Sequence, residues 1–383
     1  MLKRVLLGIC GSVAAYKSPD IVRNLKKNGF NVTCIITRSA QNFVTRFALA
    51  NVSESKCYTD EDFWNSNNLH IDLVRNHDYL LIAPASLQTL SKLSLNLADN
   101  LLLNCCASFE KKIICIPSMH TEMFNKATKE KVFSRLKSKG VYIVGPIKGE
   151  LLSGDFGLGR MLEPVNIAKI VNYITYGSLG ISKKKVVVVS GGTKENIDPV
   201  RQITNASSGL MGQTIAAMAC VHNAEVTLIS TEVCSDYGYK SLIVEPSFNG
   251  LKEALINHAA NADIIIMAAA ISDYIPKFEP KKLKRTSKKM SLELFPTQDL
   301  LKLVKETYPS AITIGFCLQD DIDNHSIPLE KSRKKNCDFI ISNTAENLGN
   351  TIRTYSLFQK ETFIKKIDNV KLCNASYEIL SLI

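Results

Sequence analysis

The sequence holds no CxxC pair, one tryptophan in 383 residues, and no apolar run near the ~20 residues that cross a bilayer. It also lacks the glycine fingerprints GxGxxG and GxxxxGK[ST]. Each absence removes a class of protein. Eleven cysteines, odd in number and mostly scattered, argue against a disulfide framework and read as the reduced thiols of a cytoplasmic chain. Without the dinucleotide fingerprint, and without an acidic residue ending a second strand, a nicotinamide-dependent dehydrogenase is disfavoured. Lysines cluster at Lys281 to Lys289 and at Lys331 to Lys335, but no aromatics interleave them, so the stacking platform of a nucleic-acid binder is missing. The opening Lys3 and Arg4, followed by VLLGICGSVAAY, loosely imitates a secretory signal. Gly8 and Gly11 break that stretch and it runs straight into a helical pattern, so it is expected to be a first strand.

What is present fits a folded protein. Hydrophobic residues make up 45% and charged residues 22%, which leaves little room for large disordered tracts. The length predicts two domains, each with its own core. A formal charge of +11 favours anionic partners, and with no nucleic-acid module and no membrane span, phosphate-rich small molecules are the expected class.

Apolar runs of strand length alternate with helical patterns from the start. Arg4 to Leu7, Val32 to Ile36, Tyr79 to Ala83, Ile113 to Ile116 and Val141 to Val144 read as strands, with helices between them beginning near Leu87 and Glu122. Short, continuously apolar strands separated by helices indicate a parallel sheet covered on both faces. After a helical pattern over Val165 to Tyr176, the stretch GSLGISKKK marks a seam. A new strand starts at Val186, a helix spans Met211 to about Val221, and further strands fall at Val226 to Ile229, Ile264 to Met267, and near Thr313 and Phe339. The expected fold is α/β: two doubly wound Rossmann-like domains over 1–180 and 181–383, the first flavodoxin-like.

The first turn, GICGSVAAYKS from Gly8 to Ser18, joins a strand to a helix. Glycines let backbone N–H groups approach a phosphate there, and Ser12 adds a hydroxyl; a tight structural turn would look the same. Five more segments follow in order: ITRSAQNFV at Ile36 to Val44, HIDLVRNHD from His70, APASLQTLSKL at Ala83 to Leu93 with NLADNLL after it, IPSMHTEMF at Ile116 to Phe124, and GELLSGDFGLGRM at Gly149 to Met161. Together they resemble the flavin-dependent phosphopantothenoylcysteine decarboxylases. The resemblance implies that FMN sits on Gly11, Ser12, Ser39 and Ser86, and that His70 handles a proton or holds the substrate carboxylate. His120 and Ser153 stand where many members have asparagine and a proton-donating cysteine. A hydroxyl is a far weaker acid than a thiol, so the resemblance implicates both residues in catalysis but leaves the final proton donor unassigned.

The second half opens VVVVSGGTKENIDPVRQITNASSGLMG, where Asn205 to Gly209 lead into a helix. Such a loop suits a phosphate, or caps a helix and nothing more. AAAISDYIPK from Ala268, KKLKR from Lys281, FPTQDLL from Phe295, TIGFCLQD from Thr313 and KSRKKNCDFIISN from Lys331 follow in order. These resemble phosphopantothenate:cysteine ligase, and with the first half they resemble the fused bifunctional enzyme of coenzyme A biosynthesis. The resemblance implies that 4'-phosphopantothenate, activated by CTP as an acyl cytidylate, is condensed with cysteine and then decarboxylated to 4'-phosphopantetheine. Asn205 and Arg201 would hold the intermediate, Lys282, Lys331 and Lys335 the triphosphate, and Asp273 the nucleotide or its Mg2+. Phe316 with Thr297, Gln298, Asp299 and Leu300 would form the base pocket. It further implies a homo-oligomer: flavin-domain trimers with FMN at the subunit interface, assembled into a dodecamer, and ligase domains in pairs. A ligase with a degenerate flavin domain, and a basic nucleic-acid binding protein without enzymatic activity, are the alternative readings.

Overall fold

A computed structural model describes residues 2–284, 290–347 and 352–383; the predicted lysine cluster at 281–289 lies outside them from position 285 onward. The chain divides into two units, one running from the N-terminus to Gly177 with Asp236–Gly238, the other Ser178–Ser235 with Tyr239–Ile383.

In the first unit, β1 (Lys3–Ile9), β2 (Phe30–Ile36), β3 (Cys57–Tyr58), β4 (Tyr79–Ala85), β5 (Lys112–Pro117) and β6 (Tyr142–Ile143) form one sheet in the order β3-β2-β1-β4-β5-β6. All its ladders are parallel. The apolar runs follow from this burial. Leu6 and Leu7 point to opposite faces of β1 and neither is exposed. On the Leu6 face the cover is Leu90, Leu93, Leu101 and Leu102, from helices Leu87–Ser94 and Leu101–Ala107. Helix Ser18–Lys27 starts with a proline in its first turn and buries Ile21, Val22 and Leu25, the spacing of one helical stripe. The stretch that imitates a secretory signal is thus β1, at the centre of the sheet. After β6 an antiparallel hairpin, β7 (Ile147–Glu150) and β8 (Phe156–Arg160), was not foreseen.

The second unit is built on β9 (Lys185–Gly192), β12 (Glu225–Ser230), β13 (Ser241–Val244), β14 (Ile264–Ala270), β17 (Ile312–Gln319), β18 (Phe339–Thr344), β19 (Ile352–Gln359) and β20 (Thr362–Lys371). Two small hairpins, β10 (Lys194–Asn196) with β11 (Gln202–Thr204) and β15 (Tyr274–Pro276) with β16 (Leu294–Pro296), project from the loops. The main sheet runs β13-β12-β9-β14-β17-β18-β19-β20. The doubly wound expectation holds for the first six strands, which pair in parallel; β19 and β20 add an antiparallel edge.

Both sheets change winding direction beside their first strand, between β1 and β4 and between β9 and β14. At such a point the loops diverge and leave a crevice beyond the carboxyl ends of the strands. Among the described residues no helix is long and apolar enough to cross a membrane.

Candidate active sites

In the first unit, four strands deliver hydroxyl groups to the crevice. Ser12 follows β1, Ser39 follows β2, Ser86 follows β4 and Ser118 follows β5. Ser12 Oγ lies 2.9 Å from Ser118 Oγ, and Ser12 also caps the 3-10 turn that begins at Val13. Ser86 caps helix Leu87–Ser94 and donates to Thr89 Oγ1 at 3.2 Å. Gly11 fills the gap between these loops and the β2 loop: a Cβ there would stand 2.3 Å from Ser39 Oγ, so no other residue fits without displacing Ser39. The four residues predicted for FMN therefore lie at one edge of the sheet. Ser118 and Thr89 were missed, although Ser118 immediately follows an apolar run and that position alone was a signal. The hydroxyls themselves are neutral. Lys17, at the end of the 3-10 turn, is paired with both oxygens of Glu163 at 3.0 Å. Burial pushes the nearby Cys10 thiol up to about 11 despite hydrogen bonds from Thr89 and Ser86, which makes it a core group rather than a nucleophile.

His70 lies in the first turn of helix Leu69–Arg75, its ring 5.5 Å from that of Phe63 and edge-on to it. Its Nδ1 is shut from solvent and finds no hydrogen-bond partner among the described residues, the state of a polar atom that a bound group would satisfy. Among the described residues no hydrogen bond links His70 to the serine cradle. His120 and Ser153, far apart in sequence, do come together. His120 Nε2 lies 3.0 Å from Asp155 Oδ2, and Ser153 Oγ donates to the same oxygen at 2.9 Å. Asp155 was missed; its place two residues beyond Ser153, in a tight Ser-Gly-Asp turn, was the available signal.

The second unit carries a cavity of about 610 Å³ at its own crevice. Asn205, Asp273, Thr297, Gln298, Asp299, Leu300, Phe316, Lys331 and Lys335 all line it. Asn205 is aimed by its amide nitrogen, which donates to the carbonyls of Ala270 and Ile271 at 3.2 Å, at the carboxyl end of β14. Gly209 takes a positive φ of 65° where the loop turns into helix Leu210–Val221. Thr297 is pinned by its hydroxyl to the Ser272 carbonyl at 2.7 Å and by its backbone N–H to the Asp273 carbonyl at 2.9 Å. Lys331 and Lys335 share one face of helix Ser326–Lys335, as their spacing predicted. Lys335 pairs with Asp299 at 2.8 Å. Burial opposes the Asp299 charge, but Lys335 and the Lys302 N–H outweigh it and hold the carboxyl below its ordinary range.

Arg201 and Lys282 do not line the cavity. The Arg201 guanidinium is taken up by Asp198 Oδ2, at 2.9 and 2.6 Å, and by the Leu283 carbonyl at 2.6 Å. Asp198 also accepts the N–H groups of Val200, Arg201 and Leu283, so the pair staples this loop to the chain beside Lys282. Lys282 itself is exposed. Sequence reasoning missed Asn343, Arg353 and Tyr355, which complete the cavity wall. Arg353 and Tyr355 alternate along β19, so both point to one face; that period-two signal was there to find.

Residues 2–176 match the family Flavoprotein, and residues 181–383 match the DNA/pantothenate metabolism flavoprotein C-terminal domain. The coenzyme A biosynthesis bifunctional protein CoaBC of Bacillus subtilis (strain 168) is 31% identical over 99% of this chain and 96% of its own length. Among solved structures, the C-terminal domain of a coenzyme A biosynthesis bifunctional protein CoaBC is 30% identical, covers 54% of this chain and 96% of that one, and superposes with a TM-score of 0.46. The FMN binding protein AtHal3 is 36% identical over 45% of this chain and 97% of its own, with a TM-score of 0.42. A match across both halves lends no support to a dehydrogenase or to a non-enzymatic nucleic-acid binder.

Proposed function

Because this chain belongs to the family of bifunctional coenzyme A biosynthesis proteins, which join a flavoprotein decarboxylase to a ligase, we propose that residues 181–383 condense 4'-phosphopantothenate with cysteine at the expense of CTP and that residues 1–180 decarboxylate the product with bound FMN. The observation that carries this reading is the pairing of a neutral hydroxyl cradle and a lysine-bearing cavity, each at the switch point of its own sheet.

The cradle fits a flavin phosphate. Gly11 leaves room for backbone approach, and Ser12, Ser39 and Ser86 supply neutral donors, which suit a phosphate that stays bound. When bound, the flavin supplies a two-electron oxidation of the substrate thiol, which makes loss of carbon dioxide feasible, and afterwards the return of those electrons. His70 offers its orphaned Nδ1 to hold the substrate carboxylate or to carry a proton.

In the ligase the phosphopantothenate carboxylate attacks the α-phosphate of CTP, pyrophosphate leaves, and the cysteine amine opens the acyl cytidylate to an amide with release of CMP. No protein nucleophile is required. Lys331 and Lys335 stabilise charge on the departing phosphates, with Lys282 assigned to the same task from outside the cavity lining. Asn205 has committed its amide nitrogen and offers its oxygen as an acceptor to the intermediate. Arg201 acts by shaping the loop that carries Asn205. Phe316 with Thr297 to Leu300 receives the base. Asp273 is an exposed carboxylate, and among the described residues no three metal-ligating side chains cluster, so the donor set fits a magnesium ion brought in by the triphosphate rather than a caged one. We assign the same chain a homo-oligomeric state, with a dodecamer as the form to test by light scattering.

The test incubates purified protein with 4'-phosphopantothenate, cysteine, CTP and magnesium while pyrophosphate, carbon dioxide and product mass are followed together. Phosphopantetheine is the expected product. A stop at phosphopantothenoylcysteine would leave a ligase alone, and no pyrophosphate at all would overturn the assignment.

A further inference from the structure

The hairpin β7–β8 meets the start of helix Thr121–Lys129 in two different ways. At its root the join is backbone: Met119 N–H donates to the Gly159 carbonyl at 3.0 Å, and a Cβ at Gly159 would lie 2.1 Å from the Met119 carbonyl oxygen. At its tip the join is one carboxylate. Asp155 Oδ2 takes hydrogen bonds from both Ser153 and His120. His120 Nδ1 accepts the Glu122 N–H at 3.3 Å, so the ring proton is assigned to Nε2, directed at Asp155. Apolar packing contributes little there, because Leu152 is 82% and Phe156 71% exposed.

We propose that Asp155 is a positioning residue of the decarboxylase site, clamping the hairpin tip to the His120 end of the helix and so fixing where the Ser153 hydroxyl stands. The proposal deepens the assignment of residues 1–180 as a decarboxylase and rests on it. The hydrogen-bond directions define the roles. Ser153 gives its proton to Asp155 and presents lone pairs outward, so it receives hydrogen bonds from substrate instead of acting as the acid. His120 spends one nitrogen on a backbone N–H and the other on Asp155. Both residues therefore serve to place the hairpin tip, and the final proton comes from another group.

The experiment uses the flavin-loaded full-length protein and its variants Asp155→Ala, Asp155→Asn, Ser153→Ala and His120→Ala. Four quantities are read: the rate of chymotrypsin cleavage at the hairpin tip, KM and kcat for decarboxylation of phosphopantothenoylcysteine, flavin per chain, and pyrophosphate release as an internal control. Asp155→Ala is expected to raise tip cleavage and KM about tenfold each, with kcat, flavin and pyrophosphate release near wild type. Asp155→Asn keeps an oxygen that accepts both bonds and should recover most of the loss. Combining Asp155→Ala with His120→Ala should add nothing, since both remove one unit. Wild-type cleavage and KM in Asp155→Ala would overturn the clamp, as would a fall in kcat alone, which would make Asp155 part of the proton transfer. Should Asp155→Ala lose its flavin by misfolding, Ser153→Ala and Asp155→Asn decide by the same readings. A wild-type protein that holds flavin yet releases no carbon dioxide would defeat the decarboxylase assignment, while the cleavage rates would still report the clamp.

Discussion

The cradle of the first unit and the cavity of the second occupy the same place in their folds and would meet phosphate by opposite means. Ser12, Ser39, Ser86 and Ser118 surround Gly11 with neutral groups, and the cation at the end of the turn, Lys17, is neutralised by Glu163. The cavity instead is lined by Lys331 and Arg353 beside the Lys335–Asp299 pair. A group that remains bound through every turnover needs only directional donors. A triphosphate that must break apart needs cations aimed at the charge that develops as it does so.

The comparison breaks most sharply at Gly11. Valine there would force its side chain into Ser39, and flavin affinity should fall about a hundredfold, read as flavin absorbance per chain, with pyrophosphate release unchanged. Lys331→Met is the mirror experiment: kcat/KM for pyrophosphate release should drop about tenfold or more with flavin content intact. If either substitution impaired both activities equally, the division of labour would be wrong.

Acid should separate the units next. Burial opposes the charge of Asp198, yet hydrogen bonds from the Val200 and Leu283 N–H groups and from Arg201 hold its carboxyl far below the usual range. Its side chain is wholly buried, while the depressed carboxylates Asp62 and Glu163 of the first unit are 13% and 39% exposed. A depressed folded pKa gives stability that is complete above the unfolded value of about 3.9 and is lost as pH falls below it. The second unit should therefore unfold first on acidification below pH ~4, measured by calorimetry, and Asp198→Asn should weaken that unit at neutral pH while flattening its acid dependence.

The smallest effect concerns thiols. All six cysteines of the first unit are buried, and burial pushes Cys57 to about 11 and Cys105 to about 12. Cys220, Cys234 and Cys373, in the second unit, are only half-buried. Labelling of the native protein with a thiol reagent near neutral pH should mark those three first, as peptide mass mapping would record. Early modification of Cys10 or Cys105 would show that the first core opens more readily than its packing implies.

Much of the architecture was legible because continuous burial leaves a continuous apolar run. The runs at Val32 to Ile36 and Ile264 to Met267 became β2 and β14 with little change. Elements held by pairing alone left weaker traces. β8 carries two glycines that pack against Thr121 and Met119, while β19, exposed at Ile352 and buried from Tyr355 to Phe358 with Ser356 among them, shows neither a clean alternation nor a fully apolar run. Nothing in a local pattern says that such strands will find partners. Site residues divided likewise: Gly11, Asn205 and Lys331 sit in turns or stripes with a local signature, whereas Asp155 and Arg353 left a fainter one, a place in a tight turn and a period-two step along β19, and acquire their meaning from what the fold brings beside them. Arg201 carried the expected charge, but the fold spends it on Asp198.

β20 ends the larger sheet, and the far side of an end strand is a template for any stray chain. Here the template is spoiled. Lys365 and Lys366 sit in mid-strand, paired with Glu378 and Asp323, and the ladder to β19 slips register twice, between Arg353 and Tyr355 and between Leu357 and Phe358. An incoming strand would have to match a bent, irregular edge and bury lysines that already have partners. Fibre-like growth through this edge is therefore discouraged, and a chain of this size can expose an end strand in a crowded solution without recruiting its neighbours.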